Sequence, residues 1–195
     1  MTRRLALLLV LLVAAGCGTS AKQAVPTGPA PSVYHGFELK PPVAAPAFRL
    51  TDQAGRLVGP RTLRGHWFVV TFLYTHCPDV CPLIASNIAT AMRSLPDLRA
   101  LAVSVDPKGD TPAAVRSFVR AHRLPAGFRY LTGTRPQLAP VWKRYHIAVG
   151  PHPDETVDHS AFVVLADPAG KERLLYDSTV RASELVADLR MLSTP

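Results

Sequence analysis

The chain has 195 residues, 22 Lys plus Arg against 14 Asp plus Glu, three cysteines and 48% apolar side chains. At 18% charged residues and with only 12 glycines it is neither disordered nor collagen-like, and its length suits one domain with an appendage rather than two. The net charge of +8 points to a negatively charged neighbour, a membrane surface or an acidic partner. With 7% aromatic residues and no basic stripe interleaved with them, nucleic acid is not an expected partner.

Met1-Thr2-Arg3-Arg4 is a short positive start, followed by the apolar run Leu5 to Ala15 and then Gly16-Cys17. Eleven apolar residues are too few to cross a hydrocarbon core, which needs about 20 in a helix. The lengths and flanks fit an export signal over residues 1–16. Ala14-Ala15-Gly16-Cys17 resembles the end of a bacterial lipoprotein signal, with Ala14 where such signals usually carry Leu. Lipidation of Cys17 would anchor the protein to the cell membrane, facing the extracytoplasmic side; an ordinary secretory signal is the alternative. Loss of residues 1–16 removes two arginines and no acids, leaving 20 basic and 14 acidic residues, a net +6. It also leaves Cys77 and Cys81 as the one thiol pair. A single pair outside the cytoplasm suits chemistry better than a disulfide framework, which small secreted domains build from several bridges.

Residues 17–47 hold six prolines (Pro26, Pro29, Pro31, Pro41, Pro42, Pro46) among Ala, Gly, Ser and Thr, with no helical or alternating pattern. Residues 17–45 therefore read as a tether with a reach of roughly 30 Å by random-coil scaling, and residues 46–195 as the globular domain. The stretch near Tyr34 to Leu39 could instead pack on that domain.

From Phe48 the texture changes. Phe48-Arg49-Leu50 and Leu57-Val58, joined by Asp52-Gln53-Ala54-Gly55, read as an N-terminal β-hairpin extension. Trp67 to Tyr74 (WFVVTFLY) is a continuous apolar run, the pattern of a strand buried on both faces. Cys77-Pro78-Asp79-Val80-Cys81-Pro82 follows and opens a helix to about Ser94. Leu101 to Val105 is the next buried strand. Asp110-Thr111-Pro112 starts a helix to about His122, with a cap and an early proline. A third helix spans Pro136 to Tyr145. Ala161 to Leu165 and Arg173 to Tyr176 are strands around the turn Asp167-Pro168-Ala169-Gly170, and Ser183 to Leu192 closes the chain as a helix. Alternating strands and helices imply one α/β domain with a central sheet flanked by helices.

The thiols follow a central strand and straddle a helix start. Pro82 fits the first helical turn, so Cys77 is expected on the loop and Cys81 at the helix mouth. A helix N-terminus favours thiolate over thiol, while Asp79 opposes it, so one thiol is expected to be more acidic than an ordinary cysteine. Two adjacent thiolates can close to a disulfide or grip a soft metal, and spacing alone does not choose between these. Three residues between the cysteines and His76 before them fit a thioredoxin-type oxidoreductase poorly, as does Tyr74 where a peroxiredoxin has Thr. Asp158-His159-Ser160 cannot form a hydrolase relay from consecutive positions, and no Gly-x-Ser-x-Gly elbow, Walker loop or dinucleotide fingerprint is present.

Phe72-Leu73-Tyr74-Thr75-His76-Cys77-Pro78-Asp79-Val80-Cys81-Pro82, Val103-Ser104-Val105-Asp106-Pro107 with Asp110-Thr111-Pro112, Leu131-Thr132-Gly133, and Val157-Asp158-His159-Ser160 resemble, in that order, the motifs of the Sco/SenC family. The resemblance covers roughly residues 46–192. It implies a thioredoxin-like fold, copper bound through Cys77, Cys81 and His159, and supporting rather than ligating roles for Asp106 and Asp110. It also implies a metallochaperone for the binuclear copper site of cytochrome c oxidase, with subunit II as partner, acting as copper donor, as thiol reductant, or both. His76 departs from the small or hydroxyl residue usual there and could add a competing nitrogen. Thiolates suit Cu(I) and imidazole suits both copper states, whereas structural zinc wants four protein ligands. Of the other histidines, His152 in Gly150-Pro151-His152-Pro153 is the main competitor, and His35, His66, His122 and His146 have no partner pattern. Met92 and Met191 read as helical core positions, and Trp67 and Trp142 as core aromatics. A monomer is expected. The competing reading is an extracytoplasmic thiol–disulfide oxidoreductase using the same cysteines; a peroxide-scavenging thiol enzyme is a weaker third.

Overall fold

The computed structural model describes residues 32–151 and 157–194. In chain order the strands are β1 (Phe37–Ala44), β2 (Leu50–Asp52), β3 (Leu57–Val58), β4 (Phe68–Leu73), β5 (Arg99–Ser104), β6 (Phe128–Thr132), β7 (Val149–Pro151), β8 (Val157–His159), β9 (Phe162–Ala166) and β10 (Lys171–Asp177). The helices are α1 (Val80–Ser94), α2 (Pro112–Ala121), α3 (Arg135–Arg144) and α4 (Ala182–Ser193). Eight strands form one sheet in the order β1-β10-β9-β4-β5-β6-β2-β3, and β7 and β8 form a separate hairpin. The sheet is mixed: β4, β5 and β6 run parallel, with β9 antiparallel to β4 and β2 antiparallel to β6.

Every residue of β4 is buried, as its unbroken apolar run predicts for a strand covered on both faces. Its neighbours β5 and β9 contribute Leu101, Val103, Val163 and Leu165, all fully buried. The helices pack on this sheet through narrow apolar stripes. In α1 the buried positions are Cys81, Ile84, Ala85, Ile88, Ala89, Ala91 and Met92, the three-and-four spacing of a helix face. The Thr111 hydroxyl accepts the Ala114 amide at the head of α2 and Pro112 occupies the first turn, so that start follows from its sequence. The Trp142 indole of α3 donates to the Ser104 carbonyl at 2.9 Å, docking that helix against the end of β5. Met191, expected in the core, is instead exposed. Among the described residues no helix is long and apolar enough to cross a membrane.

Two elements depart from the sequence reading. The expected tether over 17–45 ends earlier, because Phe37–Ala44 is β1 and pairs with β10 at Phe37, Glu38, Val43 and Ala44. The compact unit begins at Ser32, not at residue 46. Pro41 and Pro42 gave that segment its unstructured look. A proline cannot donate to a ladder but is tolerated in an edge strand, and the register of β1 shifts between Glu38 and Val43, where those prolines lie. The second is β6, a strand not expected between α2 and α3; it is short and its alternation is broken by the consecutive buried pair Tyr130-Leu131. The expected hairpin is present as β2 and β3, but β2 also pairs with β6, so it extends the sheet itself.

The start of the domain is fastened by Asp188 of α4. Its buried carboxylate accepts the amides of His35 and Gly36 and the Tyr176 hydroxyl, each at 3.0 Å, and His35 Nδ1 lies 2.8 Å away. Burial pushes this carboxyl up, but the Gly36 amide, the His35 ring and amide and the Tyr176 hydroxyl outweigh it and hold it below its ordinary value. Asp188→Asn puts an amide donor against these donors and should cost about 1–3 kcal/mol in urea denaturation at pH 7. A depressed folded-state pKa stabilises above the unfolded value of ~3.9 and loses that contribution as pH falls. The gap between wild type and Asp188→Asn should therefore narrow in acid.

Candidate metal centre

The cysteine loop leaves the buried end of β4 and turns directly into α1. Cys77 lies on the loop, 8% exposed, and Cys81 is the second residue of α1, fully buried. The two are not joined by a disulfide. The Cys77 amide donates to the Tyr74 carbonyl, and the Cys81 amide donates to Cys77 Sγ at 3.3 Å. The sulfur of Cys77 thus occupies the mouth of α1, where the first amides of a helix have no partner within it. This is the loop-and-mouth arrangement that Pro82 implies.

The sulfurs are electrostatically unequal. The Cys77 thiol is pushed down to about 5, chiefly because the Cys81 thiol donates to it; burial opposes this, and the Asp79 and Cys81 amides and the Tyr74 hydroxyl assist. Asp79 therefore acts on Cys77 through its amide, not mainly through the opposing carboxylate charge. Cys81 moves the other way: it serves as donor to Cys77, is desolvated, and faces the charges of Cys77 and Asp110. Its thiol is held well above the ordinary cysteine range.

Asp110 stands behind the loop. Its buried carboxylate accepts the Thr75 amide at 2.7 Å, the Ser104 hydroxyl at 2.5 Å and the Tyr130 hydroxyl at 3.0 Å. Burial raises its pKa against the lowering effect of those donors. Asp106 shapes the neighbouring turn, its Oδ1 accepting the amides of Lys108 and Gly109. A Cβ at Gly109 would overlap the Asp106 carboxylate and stand 3.2 Å from His76 Nδ1, so glycine permits that close approach. Ser104 and Tyr130 are supports that sequence reasoning missed. Tyr130 carried no signal, since its strand was not recognised.

His159 ends β8, where it pairs in register with Val149 of β7. β4 and β9 are antiparallel, with Thr71 opposite Val163, and the Thr71 hydroxyl donates to the Phe162 carbonyl at 2.9 Å. The end of β4 that feeds the cysteine loop and the start of β9 that follows His159 therefore lie at the same end of the sheet. The His159 side chain, His152 and Cys17 lie outside the described residues. Among the described residues no three His, Cys, Asp or Glu side chains converge on a possible metal position. His35 and His66 are engaged with Asp188 and Asp97.

A mixed sheet bearing a reduced thiol pair at the head of the helix after its central strand defines a thioredoxin-like protein with a Cys-x-x-x-Cys site. A family model described as SCO1/SenC matches residues 38–194, and the chain belongs to that family. The chain is 30% identical over 161 residues to the mitochondrial protein SCO1 homolog of Homo sapiens, covering 77% of this chain and 52% of that one. It is 30% identical over 154 residues to an SCO2-like protein of Rickettsia typhi, covering 74% and 75%. It thus spans about half the length of the human relative. Among solved structures it resembles ScoI of Bradyrhizobium japonicum with copper bound, at 30% identity and TM-score 0.65 over 76% of this chain and 98% of that one. Apo Sco1 of Thermus thermophilus superposes with TM-score 0.70 at 26% identity, over 82% and 96%. The family match begins inside β1, so the strand that the prolines disguised belongs to the family domain.

The asymmetry of the thiols is directly measurable. Ultraviolet thiolate absorbance of the reduced protein should titrate once near pH 5, for Cys77. Cys81→Ala removes the main donor, and the midpoint should move up toward the ordinary value of ~8.5. An unchanged midpoint would show that the helix amides alone acidify Cys77.

Proposed function

We propose that this protein binds copper through Cys77, Cys81 and His159 and delivers it during assembly of the binuclear copper site of cytochrome c oxidase, with subunit II as client. The observation that carries this reading is the adjacency of the two sulfurs at the mouth of α1, one acidic and one holding the proton between them. Soft sulfur donors suit Cu(I), and an imidazole tolerates both copper states. The acidic Cys77 supplies a thiolate near neutrality, and the incoming ion displaces the Cys81 proton. Three protein ligands leave a position open, through which a client's donors can take the ion by exchange. Asp110 and Asp106 hold the loop without ligating. Copper in the Bradyrhizobium structure and the family match to residues 38–194 support the reading. Cys17 as lipid anchor, with residues 18–31 as tether, would keep a monomeric domain near the extracytoplasmic membrane surface.

A second activity is favoured by the same asymmetry. A thiol acidified to about 5 is a thiolate at neutral pH and is positioned to attack a client disulfide, with Cys81 as the resolving thiol. In that exchange Cys77 and Cys81 together give two electrons to the client disulfide, end as a disulfide themselves, and can no longer hold metal.

Copper stoichiometry under a competing Cu(I) chelator tests the assignment. The reduced protein should bind one Cu(I), and protein oxidised with diamide none. His159→Ala should weaken binding by at least about tenfold, the scale on which even outer partners of a ligand act, while thiol exchange with a disulfide peptide persists. Unchanged copper affinity in His159→Ala would remove the histidine from the ligand set.

A further inference from the structure

Cys77 faces the buried side of its loop, but the residue before it does not. His76 is exposed and lines a shallow pocket of about 280 Å³ between the loop and the face of α2 that runs from Ala114 to Ala121. Thr75, Ser117, Phe118 and His122 also line it. Two imidazoles from distant parts of the chain therefore border one small space beside the thiol loop.

Each ring is oriented by a neighbour and keeps a nitrogen uncommitted. The His122 ring stacks on Phe118, with centroids 4.4 Å apart, and neither of its nitrogens is hydrogen-bonded among the described residues. His76 Nδ1 lies 3.2 Å from Thr75 Oγ1, on the side of the ring that adjoins Gly109 and the Asp106 carboxylate. Asp106 Oδ1 is occupied by two amides, while Oδ2 accepts no hydrogen bond among the described residues. The Thr75 hydroxyl behind Nδ1 leaves Nε2 as the donor, the way ligand histidines are commonly held by a partner on the other ring nitrogen. His122 also caps the C-terminal end of α2, whose partial negative charge favours a cation there.

We propose that His76 and His122 form a second copper site, a two-imidazole site for Cu(II) completed by water. Nitrogen and oxygen donors suit Cu(II), as the thiol pair suits Cu(I). Only two protein ligands make the site weak and exchangeable, and an ion held there sits one residue from Cys77. The inference rests on the proposed copper function but concerns different donors, so the two can fail separately.

The full chain in detergent carrying Cys77→Ser and Cys81→Ser removes the sulfur donors. Titrated with Cu(II), it should bind one equivalent with nitrogen hyperfine structure in the electron paramagnetic resonance spectrum. His76→Gln or His122→Gln in that background should each lower the affinity at least about tenfold, since loss of an outer partner alone costs about 10–100-fold. Circular dichroism verifies folding, and His76→Asn and His122→Asn replace any glutamine variant that fails to fold. Absence of residual Cu(II) binding, or binding indifferent to both substitutions, overturns the proposal. Thiolate-to-copper charge transfer in the wild type reports the first site separately and is expected to survive both histidine substitutions.

Discussion

The buried carboxylate of Asp110 is the constraint on which the geometry of the thiol loop depends. Three hydrogen bonds converge on it, from the Thr75 amide, the Ser104 hydroxyl and the Tyr130 hydroxyl. A charge taken out of water is costly unless such donors replace its hydration, so the carboxylate must keep all three. In doing so it ties the backbone just before Cys77 to the end of β5 and the middle of β6. Its charge also bears on Cys81, whose thiol is held protonated and becomes the donor that acidifies Cys77. One residue thus shapes the loop and contributes to the inequality of the sulfurs.

That inequality links the two proposed chemistries. A pair in which one sulfur is a thiolate and the other a thiol is ready to take a soft cation at the cost of a single proton. The same pair is ready to attack a disulfide. As proposed, copper loading and disulfide formation would use the same electron pairs on the same sulfurs, so only one could occur at a time. Under that proposal, whether the protein carries metal would follow from the redox state of its surroundings. In the proposed scheme His159, at the end of β8, would serve only the metal chemistry.

Much of the fold was legible because it is local. The unbroken apolar run of β4, the cap and proline at the start of α2 and the three-and-four spacing in α1 are each visible within about a dozen residues. The site was legible in part. The cysteine spacing and Pro82 placed the thiols at a helix mouth, and the motif order pointed to Asp106 and Asp110 beside them; the side chain of His159, the third expected ligand, lies outside the described residues. Ser104 and Tyr130 were not legible as supports, because each acts through a partner brought near only by sheet pairing. The β1 strand was hidden by Pro41 and Pro42, which an edge strand accommodates and a local pattern search reads as loop.

By itself the sequence determined the class of fold, the position of the thiol pair at the end of the central strand and the family to which the motifs belong. These rest on side-chain periodicity, proline geometry and ordered motifs, all of which are properties of the chain before it folds. The tertiary structure alone decided which sulfur is acidic, which groups hold the loop and where the domain begins. The acidic sulfur is set by the turn that lays the Cys81 thiol on Cys77, and the other two by hydrogen bonds between residues as far apart as Thr75 and Asp110, Tyr130 and Asp110, or His35 and Asp188. Such contacts exist only after the sheet has closed the intervening loops and excluded water from the groups they join.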